Sequence, residues 1–138
     1  MKYLLDTNIC IYLIKQKPAH LLDRFRAETV GDIGISVITV AELQYGVSKS
    51  QRPQQNQDAL DKFLLPLIVV DFDDAAARLA GNIRAFLEKQ GTPIGVYDVL
   101  IGSQAVALDV IVVTNNIREF ERIPGLRLEN WAETPNHS

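Results

Sequence analysis

Three carboxylates in this chain stand at the ends of apolar elements. Asp6 follows Tyr3-Leu4-Leu5 directly. Glu42 lies between Ala41 and Leu43, one turn into a helix that follows an apolar, β-branched run. Asp98 heads the most apolar helical stretch of the chain. Asn116 occupies a place like that of Asp6, just past Val110-Ile111-Val112-Val113. Carboxylates that converge on one crevice repel each other and raise one another's pKa, so such a cluster persists when a cation neutralises it. An all-oxygen set with no His or Cys suits Mg²⁺ or Mn²⁺. A Mg²⁺ held by a few carboxylates and several waters typically acts on phosphate esters. Each acid also has a plainer role open to it: Asp6 and Asp98 as helix N-caps, Glu42 as an exposed helix carboxylate.

Other chemistries have less to work with. Asp58, Asp61, Glu88, Glu121 and Glu133 lie on polar faces or in polar segments and read as solvated. Cys10, between Ile9 and Ile11, reads as a small core residue. As the one cysteine it allows no internal disulfide and no CxxC metal knuckle, which suits a reducing compartment. The two histidines, His20 and His137, are poorly placed for metal-free acid–base hydrolysis. There is no GxGxxG, no GxxxxGK[ST] and no GxSxG elbow.

The elements that must position these residues follow from periodicity and turn chemistry. Tyr3 to Leu5 reads as a short strand, Asp6-Thr7-Asn8 as cap and turn, and Ile9, Tyr12 and Leu13 as one face of a helix. Pro18 opens a second helix carrying Leu21, Leu22 and Phe25. Ile33 to Ile38 predicts a buried strand, and Thr39 to about Ser48 a helix. Gln51 to Gln57 reads as a polar loop, followed by a helical stripe of Ala59, Leu60, Phe63 and Leu64, then a strand from Leu67 to Val70. Asp73 or Asp74 caps a long helix burying Leu79, Ala80, Ile83, Phe86 and Leu87, and Gly91 stops it. Asp98 begins a helix from Val99 to Leu108 that is apolar nearly all round and therefore central. Val110 to Val113 is the clearest buried strand, and Arg127 to Glu129 a last edge strand. Strands alternating with helices predict a three-layer α/β/α sandwich around a mostly parallel sheet. Such sheets place their ligand crevice outside the carboxyl ends of the strands. If the strands ending at Leu5 and Val113 are neighbours, Asp6 and Asn116 both lie on its rim.

At 138 residues the chain is one domain's worth, with no internal repeat and no linker long enough to divide it. Hydrophobic residues make up 47% and charged residues 22%, an ordinary globular composition. The net charge of −3 and pI near 5.3 provide no long-range positive field for nucleic acid, so any such activity rests on a local site. Asp6 ends the N-terminal apolar run too early for a signal peptide, and no stretch approaches a membrane span. A cytoplasmic protein is expected.

Four blocks of residues, in this order and spacing, carry a resemblance. They are Leu4-Leu5-Asp6-Thr7-Asn8, Ala41-Glu42-Leu43, Pro93-Ile94-Gly95 with Tyr97-Asp98, and Val113-Thr114-Asn115-Asn116 with Arg118-Glu119-Phe120. Together they resemble PIN-domain ribonucleases, and more narrowly the VapC toxins of bacterial type II toxin–antitoxin pairs, from Tyr3 to Trp131. The resemblance implies a single PIN-like domain over residues 1–138, with Asp6, Glu42 and Asp98 as the core acids and Mg²⁺ (Mn²⁺ as substitute) on Asp6 and Asp98. The cation lowers the pKa of a bound water and screens the phosphate. Glu42 holds that water or takes its proton, and cleavage leaves a 3′-hydroxyl and a 5′-phosphate. Many members carry a fourth Asp where this chain has Asn116, an amide that offers an oxygen but no charge. Glu119 compensates for the missing charge, or only faces solvent. Val96 stands where close relatives have Pro. Thr114 supports a carboxylate or phosphate, or is a turn residue; Asn8 supports Asp6, or starts the helix.

The same likeness implies structured RNA as substrate, chiefly tRNA. The opening Asp6-Thr7-Asn8-Ile9-Cys10-Ile11 resembles the branch that cuts the anticodon loop of initiator tRNA. Lys15, Lys17, Lys49 and Arg52 are candidate phosphate contacts, or more simply solvated surface charges. A homodimer is implied, held inactive by a small DNA-binding antitoxin of the VapB type whose tail inserts a basic residue among the acids; no membrane is involved. Two rivals remain. A phosphoacceptor receiver also puts carboxylates at strand ends, but would want a Lys where this chain has Thr114-Asn115-Asn116. A catalytically inactive PIN-like interaction module, binding a partner protein or RNA, is the alternative that Asn116 keeps open.

Overall fold

The computed structural model describes residues 1–133, so His137 lies outside the described residues. β1 (Tyr3–Leu5) leads to α1 (Thr7–Ile14) and α2 (Ala19–Arg26), β2 (Ile33–Ser36) to α3 (Val37–Ser48) and α4 (Pro53–Leu64). β3 (Ile68–Val70) leads to α5 (Asp74–Lys89) and α6 (Val96–Leu108), β4 (Ile111–Val113) to the short α7 (Ile117–Phe120), and β5 (Arg127–Glu129) follows. The sheet order is β3-β2-β1-β4-β5 and every pairing is parallel. The expected sheet is thus wholly parallel among the described residues, with Arg127–Glu129 at an edge as expected.

Side-chain alternation along the two central strands builds the layers. Tyr3 and Leu5 of β1, with Val113 of β4, pack into a cluster with Ile9, Leu21 and Leu60 of α1, α2 and α4. Leu4 and Val112 point to the other face, among Ile83 and Leu87 of α5, Ile101 and Ala105 of α6, and Phe120. Fully burying a leucine or valine of this kind contributes about 2 kcal/mol before the entropic cost of ordering it. The three-layer sandwich follows. Gly102 lets α6 approach this second cluster closely, because a Cβ there would collide with Ile123 Cδ1.

The topology also fixes the crevice. From β1 the chain moves outward through β2 to β3, then crosses back to lay β4 on the other side of β1. The direction switches between β1 and β4, where Leu5 is in register with Val113. These are the neighbours the crevice requires.

Four expectations need correction. The apolar run Ile33 to Ile38 is strand only to Ser36, whose side chain accepts from the Ile38 amide and starts α3 at Val37; a local cap overrides β propensity. Five of the seven residues of the polar segment Gln51 to Gln57 are helical, because Pro53 takes the first helical position of α4 and the glutamines form its solvated face. Phe86 is exposed rather than buried in α5, although Ala80, Ile83 and Leu87 are buried as expected. Finally, α6 begins at Val96 with Gly95 at the N-cap, so Asp98 sits in the first turn and does not cap it. Asp73 does cap α5, accepting from the Ala76 amide, and Gly91 (φ 74°) follows its end.

Candidate active site

Asp6 is 3% exposed, at the carboxyl end of β1 and the N-cap of α1. Its Oδ1 accepts from the Ile9 amide at 2.9 Å, and its Oδ2 accepts from the Thr114 hydroxyl. The capping role and the crevice position are therefore both occupied, by different oxygens of one carboxylate. Thr114 Oγ1 also accepts from the Asn116 amide at 2.9 Å. A hydroxyl has one proton, so that contact leaves it for Asp6. Burial pushes the Asp6 carboxyl up to about 6, with the hydrogen bonds from Thr114 and Ile9 opposing and the Glu42 charge adding to the rise. Asn8 assists only through its backbone amide; its side chain is exposed.

Asp98, half-buried in the first turn of α6, faces the start of α7. Asn116 Nδ2 bridges two carboxylates, donating to Asp98 Oδ2 at 3.4 Å and Glu119 Oε2 at 3.2 Å. Desolvation, the hydrogen bond with Glu119 and the Glu119, Asp6 and Glu42 charges push Asp98 up to about 7. That same hydrogen bond holds Glu119 below its ordinary range, helped by Asn116 and the Arg122 charge. The two carboxyls therefore titrate as a pair, Asp98 held up and Glu119 held down by their contact.

Glu42 comes from α3. Its Oε1 accepts from the Thr7 hydroxyl at 2.7 Å, so α1 supplies both Asp6 and the group that holds Glu42. Thr7 is the site residue that sequence reading treated only as part of a turn; its one available signal was adjacency to Asp6. The charges of Glu42 and Asp6 both reach Asp98, but the trio is looser than a cage. Among the described residues, no three His, Cys, Asp or Glu side chains are grouped so as to hold one metal ion. The donor set is all oxygen. Two of its carboxyls are held up by burial and by other acids, as an electron-rich crevice requires. Such a set fits Mg²⁺ or Mn²⁺, which take one or two carboxylates and keep several waters.

The residues set aside by sequence stay aside. Asp58, Asp61, Glu88, Glu121 and Glu133 are exposed. Cys10 is fully buried. The His20 ring is engaged with the Ala132 carbonyl at 2.7 Å, beside a Trp131 ring that Arg24 covers at 4.5 Å. Lys15, Lys17, Lys49 and Arg52 are exposed. Lys15 and Glu42 share the lining of a mostly apolar groove of about 280 Å³ between α1, α3 and α4.

Among proteins of known kind, residues 3–126 match the PIN domain family. The tRNA(fMet)-specific endonuclease VapC of Salmonella typhimurium is 48% identical over 132 residues, 96% of this chain and 99% of that protein. A chain of the DNA-bound VapBC structure from Salmonella typhimurium superposes with a TM-score of 0.90 at 47% identity, covering 95% of this chain and 98% of that one. A chain of VapBC2 from Rickettsia felis, bound to a DNA fragment from its promoter, gives 0.86 at 47% identity, covering 95% and 99%. The chain belongs to the PIN domain family, in its VapC branch.

Proposed function

We infer that this protein is a metal-dependent endoribonuclease toxin that hydrolyses phosphodiester bonds in tRNA, initiator tRNA in particular, and is neutralised by a VapB-type antitoxin. One observation carries the reading: Asp6 and Asp98, with Asn116 and Glu119, gather at the switch point between β1 and β4, and Glu42 faces them from α3. The name and near full-length similarity of the Salmonella relative support the substrate, and the VapBC complexes support the partner.

In this reading Asp6 and Asp98 hold Mg²⁺ or Mn²⁺. When bound, the cation supplies an acidified water and charge neutralisation on the phosphate. The chain's own groups do the rest. Thr114 and the Ile9 amide fix the orientation of Asp6. Glu42 receives a proton or orients the attacking water through the oxygen that Thr7 leaves free. Asn116 keeps Asp98 and Glu119 side by side. The exposed Lys15, Lys17, Lys49 and Arg52 approach RNA phosphates. The apolar groove beside Glu42 suits an antitoxin tail, whose basic residue would pair with the acids and block the site. The protein acts as a homodimer in the cytoplasm. Among the described residues no helix is long and apolar enough to cross a membrane.

Purified protein incubated with total RNA tests this directly. Cleavage is expected with Mg²⁺ or Mn²⁺, lost in EDTA and restored by excess metal. Full activity in chelator would sink the metal mechanism; RNA binding without cleavage under any metal would favour an inactive interaction module. The carboxyls that hold the metal also bind protons, so metal affinity is expected to weaken as pH falls through 7 toward 6, where Asp98 and then Asp6 become protonated. Calorimetric titration at pH 8 and pH 5.5 measures that loss.

A further inference from the structure

Glu42 has a problem that Asp6 and Asp98 do not share. Its side chain is long and rich in rotamers, and it reaches the crevice from a different helix. Its carboxylate has one side-chain hydrogen bond, from Thr7 Oγ1 to Oε1 at 2.7 Å, a length typical of a charge-assisted bond. Thr7 is the first residue of α1, where its branched Cβ restricts χ1. Behind it, Thr7 Oγ1 lies 3.3 Å from Thr39 Oγ1, and Thr39 is fully buried in α3. A hydroxyl donates one proton. The shorter, charged contact takes Thr7's proton, so Thr39 supplies the proton of the longer one. The chain Thr39, Thr7, Glu42 then points every donor at Oε1 and leaves Oε2 free for the crevice.

We propose that Thr7 is a positioning residue for the cleavage reaction, holding Glu42 in one rotamer with Thr39 backing it. This rests on the nuclease reading of the site. Thr7 touches no reacting atom; it acts through Glu42. Losing the hydroxyl should leave RNA binding intact and misplace the carboxylate, and small misplacements at reacting groups are costly.

The test compares Thr7→Val, Thr7→Ser and Thr39→Val with the unmutated protein on its RNA substrate. Thr7→Val is expected to lower kcat about tenfold with KM within about twofold. Thr7→Ser should regain most of that rate, and Thr39→Val should lose about threefold. In a Glu42→Gln background, followed in single turnovers with enzyme in excess, Thr7→Val should cost nothing further. A wild-type rate in Thr7→Val, a Thr7→Ser variant as slow as the valine, or an undiminished tenfold loss in the Glu42→Gln background each overturns the proposal. If Thr7→Val is unfolded by circular dichroism, Thr39→Val decides by the same comparison, and its wild-type rate overturns the proposal. An unmutated protein that cleaves no RNA with either metal overturns the nuclease reading and this inference together. An active one with an equally active Thr7→Val overturns this inference alone.

Discussion

Asp98→Asn is expected to cut RNA cleavage roughly a thousandfold while raising the thermal stability of the metal-free protein at pH 7.5. Asp6→Asn should do the same. The rate falls because each loses a charge that the metal and the phosphate need. The stability rises because both carboxyls are held above their ordinary pKa, mainly by desolvation, with other acids adding to it. An acid whose folded pKa is raised contributes stability in full below its unfolded value near 4, and loses it as pH rises through the folded value. For Asp6 and Asp98 that window runs from about 4 to about 6 and about 7. For the buried Asp6, ionisation at neutral pH costs on the order of 2–3 kcal/mol. Asn at position 6 still offers an oxygen to the Ile9 amide, so the N-cap of α1 survives. The net gain should be about 1 kcal/mol, a few degrees in melting temperature, and should vanish at pH 4.5. Melting curves at the two pH values check it. A lower melting temperature in both variants at pH 7.5 would mean that these acids serve mainly as structural hydrogen-bond acceptors. Glu42→Gln should lose activity comparably with little change in melting, since Glu42 is neither a cap nor deeply buried.

What sequence could and could not reveal divides along physical lines. Asp6 was legible because strand, acid and helix start are contiguous; capping and a place in the crevice both suit such an acid, and one carboxylate serves both. The β1–β4 neighbourhood was legible as a condition, since both strands are short and apolar and each ends in cap chemistry. The start of α3 was misread because Ile33 to Ile38 has β-branched composition throughout, and only the Ser36 side chain tells the backbone where to turn. The first turn of α4 was misread because its face is solvated, and a polar helix face resembles a loop until Leu60 anchors it. The partners of the site acids were least legible. Thr7 and Glu42 are 35 residues apart, and Asp98 and Asn116 are 18. Thr7 and Glu42 meet because β1 pairs with β2 and sets α1 beside α3, and Asp98 and Asn116 meet where α6 runs on into β4 and α7; neither meeting belongs to a local pattern. The four-block resemblance carried the site further than periodicity alone, but for Asn116 it offered a catalytic amide oxygen and not the Nδ2 bonds to Asp98 and Glu119.

That departure sets the last expectation. Asn116 supplies the amide that bridges Asp98 and Glu119. Asn116→Asp replaces a shared donor with a third carboxylate beside two others. Without metal, the new charge has no proton to offer either neighbour, so repulsion should lower the melting temperature at pH 7.5 and push Asp98 higher still. With metal, the same charge draws a cation. Two divalent ions a few Å apart repel strongly, and carboxylates normally offset that repulsion. With Asn at this position, one tight site is expected, a second ion joining only weakly or along with the RNA phosphate. Asn116→Asp should therefore tighten metal binding severalfold, reduce the Mg²⁺ needed for half-maximal cleavage by a similar factor, and enlarge the rise in melting temperature on adding Mg²⁺. The cut position on the RNA should not move, because base recognition depends on loop contacts away from the acids. Calorimetric titration of both proteins decides. Two equally tight sites in the unmutated chain, or unchanged metal demand in the variant, would show that Glu119 already supplies the missing charge and that Asn116 serves only to hold it against Asp98.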